Sequence, residues 1–334
     1  MGFEYVSVRL KALRSRFVPD AEMESFAAGR EATSIILGLE DSVFSGQMQR
    51  LKEKGEKAIS HASLVRAVEE GRMDVIKKTA ELVRRWIPEC FDLLFSRREL
   101  EQLKEAMRCI RLKEPPYERR LRFLELSETG GWADSWPGYR SAAGFKNALE
   151  KLGHPMAEGI DETREGAEAE ISLERFYFGK YLEKRTPLAG DAGNYFSDLN
   201  DMANLNSAAL LRGQPSGKNA EKYYIGGTGR LLKKEFLMLT TMSDTELSGY
   251  AGKILGRELK CKPGLTGFAQ ALRQAYLRRW RINAILHPLG PLEILTFMEE
   301  LDAMAMNLKL ALSLSQAPAP EPEMAGYFLK RGIA

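Results

Sequence analysis

Residues 201–213 read DMANLNSAALLRG: an acid at Asp201, an amide three places on at Asn204, then Leu205, in a run whose apolar residues recur at helical spacing. The same pattern stands about a hundred residues to either side. RELEQLKEAMR (98–108) carries it as Glu99, Gln102 and Leu103. AMAMNLKLALS (303–313) carries it as Met304, Asn307 and Leu308, with methionine in place of the acid. Self-similarity at a fixed period marks one structural unit copied, because repeats bury their apolar faces against one another. The chain therefore reads as an assembled helical scaffold.

The repetition extends outward from the signature. ILGLEDSVF, FKNALEKLGHP and ELSGYAGKIL hold equivalent places before it, and RLKEPP, LRGQPSG and LSQAPAP follow it. Strand signals are scarce, so the expected fold class is all-α, in three similar helical domains: 1–116 with an N-terminal helix, 117–217, and 218–334 with a C-terminal tail. Each is expected to hold short helices and then a long antiparallel hairpin whose second helix bears the signature. The first hairpin is predicted over His61–Trp86 and Phe91–Leu112, closed by Pro115-Pro116. Short helices over Ala21–Phe44 are expected to stop at Ser45-Gly46. After a helix over Tyr117–Leu126 and the turn-rich TGGWADSWPGYRS, the second hairpin spans Glu158–Arg185 and Tyr195–Leu211. The third spans Gly267–Leu286 and Pro291–Leu314. APAPEPEM reads as a polyproline-type spacer, and MAGYFLKRGIA as a last segment able to pack back.

Positions three apart share a helix face, so acid and amide point the same way while the leucine borders the apolar stripe. A buried amide must satisfy its hydrogen bonds, most simply on the backbone of a neighbouring helix end. The signature residues Glu99, Gln102, Leu103, Asp201, Asn204, Leu205, Asn307 and Leu308 are thus expected to set helix register rather than catalyse. No nucleophile, histidine or second acid repeats beside them.

Bulk composition narrows the function classes. The chain has 334 residues, 44% hydrophobic and 28% charged, ample for a core. Its 49 basic and 46 acidic side chains leave a formal charge of +3, too small a field to make nucleic acid the main partner. Cys90, Cys109 and Cys261 are three, widely spaced and without C-x-x-C, which fits reduced thiols. Charges interrupt every apolar stretch of MGFEYVSVRLKALRSRF, unlike a signal peptide, and no run approaches the ~18 apolar residues of a membrane span. Any membrane association is expected to be peripheral. The N-terminal helix has a basic face, with Arg9 and Arg16 as candidate partner contacts.

Candidate catalytic motifs fail on spacing. GQPSGKN places three residues between Gly213 and Gly217 where a phosphate-binding loop needs four, puts Asn219 where Ser or Thr would hold magnesium, and follows a helix rather than a strand. GGTGR, Gly226–Arg230, lacks a surrounding βαβ pattern. His61, His154 and His287 lie far apart with no metal-ligand spacing, and no serine or cysteine sits in a catalytic context. The expectation is a non-enzyme with no cofactor and no metal.

Several stretches resemble one family, the C subunit of V/A-type rotary ATPases (V/A-type ATP synthases), whose eukaryotic V-ATPase counterpart is the d subunit. YVSVRLKALRSRFV is similar to the family's opening helix through Tyr5, Arg9, Ser15 and Arg16. LEDSVFSGQM resembles its next element through Leu39, Ser42, Phe44 and Gly46. DMANLNSAALLRGQ matches a D-x-x-N-L-R helix, YYIGGTGRL the glycine turn after it, and PLEILTFMEELDAMAMNLKLAL the closing helix. Asn206, Phe297, Met304 and Lys309 depart from the family's arginine, tyrosine, acid and arginine. The resemblance implies a pseudo-threefold funnel acting as a non-catalytic central-stalk socket. It would receive the central shaft, made of the D and F subunits, and sit on the membrane proteolipid ring, coupling ATP turnover to ion transport from the cytoplasmic face. The competing expectation is a helical-repeat adaptor unrelated to rotary ATPases, with an open superhelix.

Overall fold

The computed structural model describes residues 2–28, 31–55, 59–112, 141–164, 166–185, 190–212, 215–262, 264–315 and 328–330. Every regular element among them is helical, as the apolar spacing requires. The expected stop at Pro115-Pro116, the helix over Tyr117–Leu126, nearly all of TGGWADSWPGYRS and the APAPEPEM spacer lie outside the described residues. By contact density the chain divides into two compact units, Met1–Pro88 with Tyr276–Ala334, and Glu89–Ala275.

In the first unit the helices are α1 (Gly2–Arg14), α2 (Asp20–Ala27), α3 (Ala32–Gly38), α4 (Ser45–Glu53) and α5 (His61–Trp86). The second unit contains α6 (Phe91–Leu112), α7 (Ala142–Lys151), α8 (Ala167–Phe176), α9 (Leu182–Arg185), α10 (Asp191–Leu211), α11 (Lys233–Leu239) and α12 (Asp244–Leu255). The division falls within α13 (Leu265–Leu286), and α14 (Pro291–Ser315) returns to the first unit.

α14 is the centre of the first unit, packed on α5 and α2 with α1 beside it. Its residues Leu292 through Met298 are all buried, as expected of a helix surrounded by neighbours. Burial includes two carboxylates, Glu293 and Glu300, and Arg14 of α1 meets both at 2.6 Å. Arg281 approaches Glu300 at 3.3 Å. An unpaired charge there would cost several kcal/mol, so these pairs dictate where α1 lies on α14. Helix α5 opens on a reciprocal cap, Ser63 N–H to Ser60 Oγ at 3.2 Å and Ser60 N–H to Ser63 Oγ at 2.8 Å.

In the second unit α6 packs on α7 and α8. Lys104 reaches Glu174 at 2.5 Å, and Arg108 grips both oxygens of Glu170 with Nε and Nη2 of its guanidinium, the Nε bond being 2.8 Å. A separate apolar cluster joins Leu205 of α10 to Phe236, Leu239, Leu247, Leu255 and Leu272. Helix α12 opens on the Ser243/Glu246 capping box and is stopped by Gly256 at φ +69°.

Two segments differ from the sequence reading. Ser45-Gly46 begins a helix instead of ending one, because the Phe44 carbonyl accepts the N–H groups of Gln47 and Met48. The helix expected over Glu158–Arg185 starts only at Ala167. Before it, the Asp161 carboxylate takes the Thr163 N–H at 3.0 Å and Arg164 at 2.8 Å, an alternative to helical bonding. Gly166, at φ +59°, then redirects the chain. Beyond Phe176 one widened π-type turn, Tyr177–Tyr181, brings three aromatic rings inward. Burial pushes the Tyr177 hydroxyl well above its ordinary pKa, and it shares a 2.9 Å hydrogen bond with Ser96 of α6.

Candidate functional site

Of the signature amides, Asn204 and Asn307 do the same thing. Each is buried, and each takes hold of one residue's backbone at two points. Asn204 Nδ2 donates to the Ile225 carbonyl at 2.9 Å while its Oδ1 accepts the Ile225 N–H at 2.8 Å. Asn307 Nδ2 donates to the Leu329 carbonyl at 2.8 Å, and its Oδ1 accepts the Leu329 N–H at 2.9 Å. An amide supplies donor and acceptor together, and an extended backbone residue needs both. The third amide, Gln102, is half-buried, and its shielded Oε1 has no hydrogen-bond partner among the described residues.

The leading residues differ chemically but share a direction along the chain. Glu99 Oε1 lies 2.8 Å from His154 Nε2, both side chains buried. His154 Nδ1 accepts the Met156 N–H at 3.2 Å, so the ring proton sits on Nε2 and points at the carboxylate. Asp201 Oδ1 accepts the Leu231 N–H at 2.9 Å, and its Oδ2 accepts from Arg230 at 3.0 Å. Met304 Sδ accepts the Val18 N–H at 3.2 Å. Leu103, Leu205 and Leu308 are all fully buried.

The glycine cluster after α10 is explained by this geometry. With its amide turned to satisfy its surroundings, Asn200 accepts the N–H groups of Thr228 and Gly229 at 3.2 and 3.1 Å. Arg230 also bonds Asp198. The segment Ile225–Leu231 is therefore fastened along α10 by four of its side chains. A Cβ on Gly229 would come within 2.7 Å of Asp201 Oδ1, and one on Gly227, at φ +131°, within 2.5 Å of the Phe178 carbonyl carbon. Gly227 and Gly229 serve close backbone approach, a role the sequence reading did not assign to them.

Arg16 donates to the carbonyls of Asp41 (3.2 Å) and Ser42 (2.9 Å) and to Ser45 Oγ (3.0 Å), holding the turn between α3 and α4. Arg9 is exposed and lines a groove between α1 and α5. Among the departures, Phe297 is buried with its ring 5.3 Å from Phe17, and Lys309 pairs with Glu69 of α5 at 3.1 Å. Asn206 Oδ1 is shielded without a partner among the described residues.

Sequence reasoning missed the partners of the signature side chains: His154, Val18 and Leu231 for the leading residues, and Ile225 and Leu329 for the amides. Only tertiary folding brings them to the signature helices. The arrangement holds backbone segments in place. Among the described residues no group of three or more His, Cys, Asp and Glu could hold a metal ion, and no helix is long and apolar enough to cross a membrane.

The family model described as ATP synthase (C/AC39) subunit matches residues 6–312. Comparison with curated proteins gives no match. The matched span takes in both asparagines, Asn204 and Asn307. The chain belongs to the ATP synthase (C/AC39) subunit family.

Proposed function

We propose that this member of the ATP synthase (C/AC39) subunit family, a component of V/A-type rotary ATPases, is the non-catalytic socket of the central stalk. It joins the shaft, built of the D and F subunits, to the membrane proteolipid ring on the cytoplasmic face and passes torque between ATP turnover and ion transport. The body that does so is three helical repeats, 1–116, 117–217 and 218–334, closed as a funnel.

The observation that carries this reading is where the leading residues reach. Glu99 of the first repeat holds His154 of the second, Asp201 of the second holds Leu231 of the third, and Met304 of the third holds Val18 of the first. An open superhelix has no reason to bond its last repeat to its first; a closed set of three does. In the proposed repeats each signature helix would bond to the next repeat, a pattern suited to a torque-bearing part.

Coexpression with the D and F subunits and the ring, followed by purification from membranes, tests the proposal. Copurification of the chain with both shaft and ring is expected. A folded chain that never associates with them would sink the socket reading and favour the adaptor.

A further inference from the structure

Between α1 and α5 runs a groove of about 490 Å³. Its floor is apolar. Tyr5 and Trp86 pack with ring centroids 4.5 Å apart while remaining 43% and 39% exposed, and Leu13 and Leu82 lie half-buried beside them. Its walls are cationic. Arg9, Lys78 and Arg85 are exposed, and none of them has an acidic partner among the described residues. Arg85 instead lies 5.7 Å over the Trp86 ring. Arg16, fastened to the carbonyls of Asp41 and Ser42, stands at the same groove with its guanidinium already oriented. Glu81 is the one acid lining it among the described residues.

Uncompensated like charges around exposed aromatic rings raise the energy of the free protein. Anionic groups lower it when they arrive with something to cover the rings. We infer that this groove is a docking site for an acidic segment of a partner protein, carrying Asp or Glu side chains around at least one bulky apolar anchor. The inference names the chemistry of one partner contact and rests on the reading of the chain as part of a multi-subunit stalk. From Tyr5 to Leu13 the α1 wall spans about 12 Å at 1.5 Å per residue, room for roughly two turns of a partner helix. The apolar floor lies between two helices, reachable by an inserted side chain but not by a flat bilayer surface. The basic patch is also too short to follow a nucleic-acid backbone.

A fluorescent helical peptide rich in Glu with central Leu and Phe, titrated into the purified full chain by anisotropy, tests the groove directly. Binding is expected to weaken with salt, and about tenfold in the double variant Arg9→Glu, Lys78→Glu. The reversal Lys253→Glu, outside the groove, should leave it unchanged. Melting curves confirm that each variant is folded, and a photo-crosslinking phenylalanine at Tyr5 gives a second readout, expected to label acidic peptide stretches in the coexpressed complex. No peptide binding, binding indifferent to the double reversal, or labelling confined to lipid overturns the inference. A chain that binds the peptide through Arg9 and Lys78 yet never joins shaft and ring would overturn the socket reading alone.

Discussion

The thioether of Met304 accepts the main-chain N–H of Val18 at 3.2 Å, both residues being buried. In the related helix α10 the same position is Asp201, which accepts the Leu231 N–H at 2.9 Å. A backbone N–H must find an acceptor when buried, and a weak sulfur acceptor inside an apolar core meets that need without burying another charge. The methionine is thus a working replacement for the acid.

Removing that acceptor has a graded cost. Met304→Leu keeps volume and removes the sulfur acceptor of the Val18 N–H, which is expected to destabilise by about 1–2 kcal/mol. Met304→Ala adds a cavity and should cost roughly 2–5 kcal/mol. Urea unfolding of both variants and the wild type gives the comparison, and a Met304→Leu variant as stable as the wild type would mean that the sulfur contact contributes nothing.

Asn204→Leu removes both points of the Ile225 clamp and strands two buried backbone groups at ~1–3 kcal/mol each. Asn307→Leu should free Leu329 likewise. Amide exchange at Ile225 in the first variant and at Leu329 in the second is expected to accelerate by at least tenfold. Unchanged protection in both would show that packing alone holds those segments.

Two glycine substitutions are expected to act with opposite sign. Gly227→Ala drives a Cβ into the Phe178 main chain from a φ of +131°, and should destabilise by at least ~1–3 kcal/mol. Gly249→Ala lies inside α12 with nothing within 4 Å of the new Cβ. It should stabilise by about 0.5–1 kcal/mol through helix propensity. Thermal unfolding midpoints moving the same way in both would contradict the close-approach account.

Glu69 confers acid sensitivity. Burial alone would raise its pKa, but the hydrogen bond and charge of Arg72, with Lys309 beside them, leave it below its ordinary value of 4.5. A carboxylate lowered on folding stabilises the native state above its unfolded pKa, and that contribution disappears as pH falls through the lower folded value. Stability of the wild type should therefore fall more steeply below about pH 4.5 than that of Glu69→Gln. Superimposable acid limbs in unfolding titrations would remove Glu69 from the account.

Helices α5 and α6 have the bounds that spacing, capping and proline placed on them, since His61–Trp86 and Phe91–Leu112 carry long amphipathic patterns between clear stops. The span Glu158–Arg185 was harder. Its charged residues favour a helix, yet Asp161 found local partners and Gly166 a positive-φ bend, neither of which periodicity weighs. For the signature, the need of each amide for hydrogen bonds followed from chemistry, whereas the residues that answer it did not. Ile225 lies 21 residues beyond Asn204 and Leu329 22 beyond Asn307, distances over which no local rule specifies a contact.

By itself the amino-acid sequence determined that the chain is all helical and that three of its helices carry one amphipathic signature, because periodicity and side-chain chemistry are local properties. Tertiary structure alone decided that Met304 would meet Val18, that Glu99 would meet His154, and that a glycine loop would lie along α10. Those pairings join residues 30 to 286 positions apart, and only the burial of apolar faces brings them within hydrogen-bonding distance.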